Sequence, residues 1–294
     1  MGIETKLEEI GIRSPVGLAS LLCTKDLDMI MNVWDTGIGF IVLKTMMDAE
    51  ERPEKPLIKE VMSTDNNTNF YHSGTTDKEQ YNFHDDAERI IELINGLYSN
   101  DIVSIPSIGT KKANIEPWEN IESVLAKTEA RVLELNLRYL YRGLLAKYRR
   151  GILLNEYLNN EAKAKAEDIN RAKYLANEEF GYLLNKIREV FPQSKYSLIA
   201  KLWACDEIKL HLMYVAESGF NAVTLLNSIK KEPPEPFEKI PRSKMPQMSG
   251  MELRPYRDYA LTLARRMNYK LPIFASGGVA IEAIRDINFD GVSH

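Results

Sequence analysis

Cysteine is scarce in this chain of 294 residues, which contains only Cys23 and Cys205. The two cysteines are far apart in the sequence and form no metal-ligand spacing. A chain of this size with so few cysteines is typical of a reducing compartment. We therefore expect a cytoplasmic protein, and we predict no metal site and no catalytic role for either thiol.

Long apolar runs and an excess of positive charge are also absent. No run approaches the roughly 18 apolar residues of a membrane span. The first residues, MGIETKLEEIG, have neither the basic start nor the apolar core of a signal peptide. The formal net charge is −4 at pH 7, which provides no electrostatic footprint for a polyanion. We therefore expect neither a membrane nor a nucleic acid as a partner.

A glycine-rich phosphate loop is the third feature that the chain lacks. The first apolar run continues as GLASLLCTKD (17–26), whereas a doubly wound dinucleotide fold would place a glycine fingerprint there. An open doubly wound sheet is therefore the weaker of two α/β alternatives. An α/β barrel of about 250 residues forms a single domain, and we interpret residues 1–294 as one domain.

Seven short apolar or β-branched runs are present, with helical stretches between most of them. Residues 87–99, 205–219 and 256–268 carry apolar side chains at helical spacing. This alternation predicts a parallel sheet covered by helices, and seven or eight such units indicate a TIM (β/α)8-type barrel. The strands are predicted at residues 15–20, 39–45, 102–109, 132–137, 197–203, 222–228 and 272–278.

Two regions are longer than a plain barrel requires. Residues 142–191, after the fourth strand, contain two helical stretches, about twice what one crossover needs. They are interpreted as a surface helical insertion, with a lid or an oligomer interface as the alternative. Residues 63–86 form a long polar loop that is a candidate flap. Its histidines, His72 and His84, are expected to be solvated.

Polar or glycine residues end most of the predicted strands, and in a barrel the carboxyl ends form the rim where sites are built. A single lysine there is usually only solvated. Two lysines and two asparagines indicate instead a site for a small planar molecule, since amides and an ammonium can bind a ring with donors and acceptors. A Gly-Gly pair near strand seven also suits a phosphate. These residues are Ala19, Ser20, Lys44, Thr45, Asn136, Lys201, Asn227, Ser228, Gly277 and Gly278.

Six segments resemble those of a known family: SPVGLASLLCTKDLDMI, GIGFIVLKT, VLELNL, AVTLLNS, QMSGMELRPYRDYAL and PIFASGGVAIEAI. Together they are similar to the dihydroorotate dehydrogenases, FMN-dependent (β/α)8 barrels, and to the cytosolic class in particular. The resemblance runs from about residue 14 to the end of the chain, without the insertion. It implies an FMN-dependent oxidoreductase that acts on the C–C bond of a dihydroorotate-like or dihydropyrimidine-like ring. It also implies a homodimer.

The resemblance implies two groups of site residues, one that binds the substrate and one that surrounds FMN. Within the second group, Lys44 would lie at the pyrimidine edge of the flavin and Gly277-Gly278 at its phosphate. Glu134, inside the run VLELNL, is expected to be a buried structural partner. The implied substrate ligands are Asn136, Asn227 and Ser228. The residues implied around FMN are Ala19, Ser20, Lys44, Asn136, Lys201, Ser249, Gly250, Gly277 and Gly278.

The chain departs from the family directly after the fourth strand. The family has Ser followed by a Cys or Ser base, then Pro and Asn, whereas this chain has Arg138, Tyr139, Leu140 and Tyr141. Tyr139, with Lys44, is the catalytic candidate. A phenol with an ordinary pKa of about 10 is a poor base at neutral pH and a serviceable proton donor, which favours the reductive direction. Leu21 replaces the family's usual glycine. Because the given sequence ends at DGVSH, we expect the eighth strand to be incomplete.

Two other functions are compatible with these residues. A diverged barrel without catalysis, acting as a binding or regulatory subunit, is the main alternative, because the family's base has been replaced. An aldolase that forms a Schiff base through Lys201 is the third.

Overall fold

Strands and helices alternate along the chain as the sequence predicts. The structure, a computed structural model, describes residues 5–7, 10–12, 14, 16–20, 24, 27–48, 61–63, 69–72, 81–158, 166–227, 229–230, 247–250 and 253–276.

The strands form three groups, namely an N-terminal hairpin, a parallel series and a small antiparallel sheet. The hairpin pairs β1 (Thr5–Leu7) with β2 (Ile10–Ile12). The parallel series contains β3 (Gly17–Leu18), β4 (Phe40–Val42), β5 (Met46–Asp48), β8 (Ser104–Ile105), β9 (Ser107–Thr110), β10 (Val132–Asn136), β11 (Ser197–Lys201), β12 (Ala222–Leu225) and β15 (Ile273–Ala275). The antiparallel sheet contains β6 (Val61–Ser63), β7 (Asn69–His72), β13 (Ile229–Lys230) and β14 (Gln247–Gly250).

The parallel strands are adjacent in space in the order in which they occur in the chain. β3 pairs with β4 and β4 with β8, while β5, β9, β10, β11, β12 and β15 follow one another in one sheet. β4 and β5 belong to one run of chain, as do β8 and β9, which are separated by Pro106 because proline has no N–H for the ladder. All seven predicted strands are therefore confirmed. Their order has no reversal within the described residues, which excludes a doubly wound arrangement there.

Side chains alternate between the two faces of this sheet. Leu133 and Leu135 face the helices and belong to the main apolar core, whereas Val132 faces inward and packs in a second, smaller core. Phe40 of β4 and Phe274 of β15 meet edge to face in the interior, with ring centroids 5.7 Å apart. Because these rings come from the second and the seventh strand, the sheet curls around a filled interior, as in a barrel.

Helices cover the outer face of the sheet, and the three helical predictions are confirmed with shifts of up to three residues at the ends. The helices are α1 (Leu27–Trp34), α2 (Ala87–Ser99), α3 (Glu116–Leu125), α4 (Leu137–Leu158), α5 (Ala166–Val190), α6 (Ile208–Glu217) and α7 (Arg254–Arg266).

The helical segment after the fourth strand begins earlier than the predicted residue 142. Helix α4 starts at Leu137, directly after β10, so residues 138–141 belong to the beginning of this helix. Helix α4 passes close to the backbone that follows β9, and it can do so because residue 143 is glycine. A Cβ at this position would collide with the Lys111 carbonyl oxygen.

Helix α5 belongs to the layer that covers the barrel. Phe180 and Leu184 are fully buried in the main core. On the α4 side, Lys147 Nζ and the Tyr148 hydroxyl donate hydrogen bonds to the Glu179 carboxylate at distances between 2.6 and 2.8 Å. The described part of the predicted insertion is therefore packed against the barrel. Its alternative roles, as a lid or as an oligomer interface, stay predictions.

The segments after the second and the sixth barrel strand meet in the antiparallel sheet. β7 pairs with β6 on one side and with β14 on the other, and β14 also pairs with β13. Part of the predicted flap at 63–86 is thus a strand of this sheet. Because both segments leave the barrel at its carboxyl end, they bring the sheet to the rim.

The predicted incomplete eighth strand lies outside the described residues. Within the described part of the chain, no helix is both long enough and apolar enough to cross a membrane.

Candidate functional site

A buried carboxylate occupies the interior of the barrel. Glu134 extends from β10 on the same face as Val132, and only 2% of its surface is exposed. Its Oε1 accepts a hydrogen bond from Lys201 Nζ at 3.0 Å, and its Oε2 accepts one from the Thr224 hydroxyl at 2.9 Å. A buried charge is costly unless it is paired and hydrogen-bonded. Glu134 and Lys201, which we call the interior salt bridge, therefore depend on each other.

A chain of hydroxyl and amide groups links the ends of the neighbouring strands. The Thr45 N–H donates to Ser20 Oγ at 3.1 Å, and Thr45 Oγ1 lies 3.1 Å from Ser107 Oγ. Asn136 Nδ2 donates to Thr45 Oγ1 at 3.2 Å, and Asn227 Nδ2 donates to Asn136 Oδ1 at 2.9 Å. These five residues, the rim network, connect the carboxyl ends of the first, second, third, fourth and sixth barrel strands.

Strand register places the interior salt bridge beside the rim network. Asn136 and Lys201 are partners in the parallel pairing of β10 with β11. Glu134 precedes Asn136 by two residues and therefore lies on the same face of the strand. An ammonium and several amide and hydroxyl groups thus converge at one end of the barrel. Such a set of donors and acceptors suits a planar ring with several polar atoms.

Tyr139 lies at the edge of this network. It is in the first turn of α4, and a Cβ on Gly109 would be 3.2 Å from Tyr139 Cδ2 and 3.4 Å from the Asn136 carbonyl oxygen. The phenol ring therefore rests on the backbone of β9, next to the end of β10. Gly109 permits this contact because it has no side chain.

Arg138 supplies positive charge next to Tyr139. Burial, followed by repulsion from Arg142, lowers the pKa of the Arg138 guanidinium to about 10, while the charge interaction with Tyr139 opposes that shift. The guanidinium is therefore still charged at neutral pH. Its interaction with the phenol shows that a cation stands within electrostatic range of Tyr139.

An aromatic cluster anchors the first turn of α4 from behind. Tyr141 contacts Phe180, Trp203 and His211, with ring centroids 5.5, 5.2 and 4.7 Å away. Burial lowers the pKa of His211 to about 3, so the imidazole is neutral. The cluster is packed ring against ring. We therefore assign it a structural role, in which it holds the helix turn that carries Tyr139.

His84 is exposed, as predicted for a loop histidine, and it also pairs with a buried carboxylate. Its Nε2 lies 2.7 Å from Asp48 Oδ1, and the Asp48 side chain is fully buried whereas that of His84 is 39% exposed. This pair ties the segment before α2 to the end of β5. The part of the chain that is described contains no group of three or more His, Cys, Asp or Glu side chains that could hold a metal ion.

The structure brings together several of the predicted site residues. Ser20, Asn136 and Asn227 belong to the rim network, and Lys201 belongs to the adjoining salt bridge. Ala19 directly precedes Ser20 at the end of β3. Lys44 directly precedes Thr45, and its side chain is half-buried.

The remaining predicted residues are in β14 or outside the described chain. Ser249 and Gly250 are in β14, where their backbone pairs with β7. Ser228, Gly277 and Gly278 fall outside the described residues. The predicted phosphate loop therefore stays a prediction, as does the place of Ser249 and Gly250 around a cofactor.

The sequence did not identify Ser107 and Thr224 as site residues, and it identified Thr45 only as a strand end. Thr45 is the centre of the rim network, and Ser107 and Thr224 are buried with it and with Glu134. The available signal was their position. Each is a polar residue in or directly after a buried strand, at a place where the side chain turns inward. The prediction of Glu134 as a buried structural partner is confirmed.

Comparison with known proteins gives a structural match without a sequence match. No family model matches the sequence, and no curated protein matches it. The crystal structure of DHODH from Eimeria tenella in complex with ferulenol matches with a TM-score of 0.57 and 14% identity, over 94% of this chain and 73% of that chain. The ligand-free DHODH from Eimeria tenella matches with a TM-score of 0.56 and 14% identity, over 94% and 75%. The chain therefore shares the α/β fold of these DHODH structures, which is a TIM barrel.

Proposed function

We propose that this protein is an FMN-dependent oxidoreductase that acts on the C–C bond of a dihydroorotate-like or dihydropyrimidine-like ring. The observation that carries the proposal is the convergence of Ser20, Asn136, Lys201 and Asn227 at the carboxyl end of the barrel. The sequence resemblance assigned Ser20, Asn136 and Lys201 to the flavin and Asn227 to its substrate, although these residues are up to 207 positions apart, from residue 20 to residue 227. Their hydrogen-bonded contact with Thr45 and Glu134 supports that assignment.

The donor set at the rim fits a flavin ring. Isoalloxazine presents several acceptor atoms and an N–H on its pyrimidine side, and a lysine with amide and hydroxyl groups can complement them. Lys44 and Lys201 would bind that side of the ring, with Ser20 and Asn136 next to it. When bound, the flavin supplies hydride transfer, and the protein supplies orientation and charge near the ring.

Tyr139 is the proposed proton donor to the substrate. Its ring lies next to the end of β10, the strand that carries Asn136, which would also contact the substrate together with Asn227. Proton donation by a phenol suits reduction of an activated double bond better than deprotonation of a dihydro compound. We therefore propose the reductive direction. Ser228 is a third proposed substrate ligand, from the resemblance alone.

An absorbance spectrum of freshly purified protein tests this proposal. We expect flavin absorbance, or its appearance after FMN is added and excess FMN removed, and release of FMN into the supernatant on heating. Lys201→Met should weaken FMN binding, whereas Lys186→Met, on the outer face of α5, should leave it unchanged. Wild-type protein that is colourless and gains no flavin absorbance contradicts the proposal.

A barrel without catalysis is the second candidate function. The observation that favours it is the start of α4 at Leu137, since helix replaces the segment that carries the base in the resembling family. Flavin that binds but is neither reduced by a dihydropyrimidine nor reoxidised by the corresponding pyrimidine would support this candidate. The Schiff-base alternative is less well supported, because Lys201 is held in a salt bridge with Glu134.

A further inference from the structure

The interior salt bridge determines how much positive charge the barrel presents at its rim. Glu134 and Lys201 are exposed by only 2% and 5%, so water screens this pair weakly. A carboxylate 3.0 Å from an ammonium cancels much of its field at any group farther away. A ring bound at the rim would therefore experience Lys201 as part of a pair and not as an isolated cation.

We propose that Glu134 is a positioning residue that balances the charge of Lys201, so that Lys201 offers hydrogen-bond donors to a flavin ring without a net positive charge. This inference rests on the proposed function. An ammonium has three N–H donors, and in the described structure Glu134 accepts one of them. The other two have no acceptor among the described residues, and in this proposal they donate to the bound ring.

Thr224 holds the other oxygen of the same carboxylate. Its hydroxyl donates to Glu134 Oε2 at 2.9 Å, and Thr224 is the register partner of Lys201 between β11 and β12. Three adjacent strands thus contribute one member each to the arrangement. Thr224→Val removes this hydrogen bond without changing the charge, which makes it the matched control for Glu134→Gln.

The experiment measures the midpoint potential and the FMN dissociation constant of the holoprotein in four forms: wild type, Glu134→Gln, Lys201→Met and the double variant. Two-electron reduction adds negative charge to the flavin ring. Glu134→Gln leaves the ammonium unbalanced, so the potential should rise. Lys201→Met leaves the carboxylate unbalanced, so the potential should fall. The double variant restores neutrality and should lie close to wild type, whereas Thr224→Val, which keeps both charges, should shift the potential less than either single variant.

Thermal unfolding of the apoproteins provides the second readout. Each single variant leaves one buried charge unpaired and should lower Tm, whereas the double variant should unfold at a higher temperature than either. This comparison remains informative when a single variant is too unstable to bind FMN, because the double variant keeps the charge balance.

The outcomes separate this inference from the proposed function. Wild-type protein that binds no FMN overturns the proposed function and this inference together. Wild-type protein that binds FMN, with a potential that Glu134→Gln leaves unchanged or shifts in the same direction as Lys201→Met, overturns this inference alone.

Discussion

At the scale of single residues, a substitution of Tyr139 distinguishes the proposed oxidoreductase from a barrel without catalysis. Tyr139→Phe removes the hydroxyl and keeps the ring that rests on Gly109. Loss of a general acid typically costs about 10²–10⁴-fold in rate, so turnover should fall within that range while FMN stays bound. Single-turnover oxidation of reduced flavin by the pyrimidine substrate measures this. Tyr182→Phe, on an exposed face of α5, is the control, and unchanged turnover in Tyr139→Phe excludes a role for this hydroxyl.

Tyr141 has a buried hydroxyl group without a hydrogen-bond partner among the described residues. Its side chain is 3% exposed. Burial of an unpaired hydroxyl costs about 1–3 kcal/mol. Tyr141→Phe should therefore raise the free energy of unfolding by about 1 kcal/mol, measured by urea denaturation.

The matched control for this change is Tyr148→Phe in the same helix. The Tyr148 hydroxyl donates to Glu179 at 2.6 Å, and this hydrogen bond raises its pKa to about 12. Its removal should lower stability. A loss of stability in Tyr141→Phe as well would indicate that the Tyr141 hydroxyl has a partner after all.

At the scale of elements, the position of α4 depends on one glycine. A Cβ at Gly143 would collide with the backbone carbonyl of Lys111, whereas a Cβ at Gly151, two turns later, would meet nothing within 4 Å. Alanine is intrinsically better than glycine in a helix by up to about 1 kcal/mol. Gly151→Ala should therefore stabilise the protein, and Gly143→Ala should destabilise it despite the same gain in propensity.

Chemical denaturation of the two alanine variants checks this prediction. Because α4 carries Tyr139 in its first turn, Gly143→Ala should also impair turnover at temperatures where the protein remains folded. Equal stabilisation by both substitutions would mean that α4 does not approach the Lys111 backbone so closely.

The elements themselves were largely predictable from the sequence, and one boundary was not. Apolar periodicity located α2 and the strands around Leu133 and Val223, because each depends on neighbouring residues in the chain. The start of α4 was placed at about 142 instead of 137. No glycine, proline or polar cap separates Asn136 from the helix, and the tight contact at Gly143 that holds the helix there is a tertiary one.

At the scale of the whole molecule, His211 should make stability depend on pH. Burial lowers its pKa in the folded protein to about 3 from an ordinary value of 6.5. Below pH 6.5 the unfolded chain binds a proton that the folded protein does not. The contribution of His211 to the free energy of unfolding is therefore fully present above pH 6.5. It decreases as the pH falls toward 3, by at most about 1.4 kcal/mol per pH unit.

Urea denaturation at pH 7 and pH 5 measures the effect. The wild type should lose about 2 kcal/mol from this residue between the two pH values. His211→Gln should lack that contribution, whatever its stability at pH 7. The same loss in both proteins would contradict a buried neutral imidazole.

The predicted homodimer is a separate question at this scale, and light scattering of the purified protein addresses it.

The sequence by itself determined the seven strands, most of the helices and the polar character of the strand ends, because these depend on spacing within a few residues. It also pointed to Asn136, Lys201 and Asn227 through their shared place after buried strands. Only the tertiary structure decided which side chains are partners. Lys201 is 67 residues from Glu134 and Thr45 is 91 from Asn136. Such contacts depend on strand register and curvature, which no local pattern specifies.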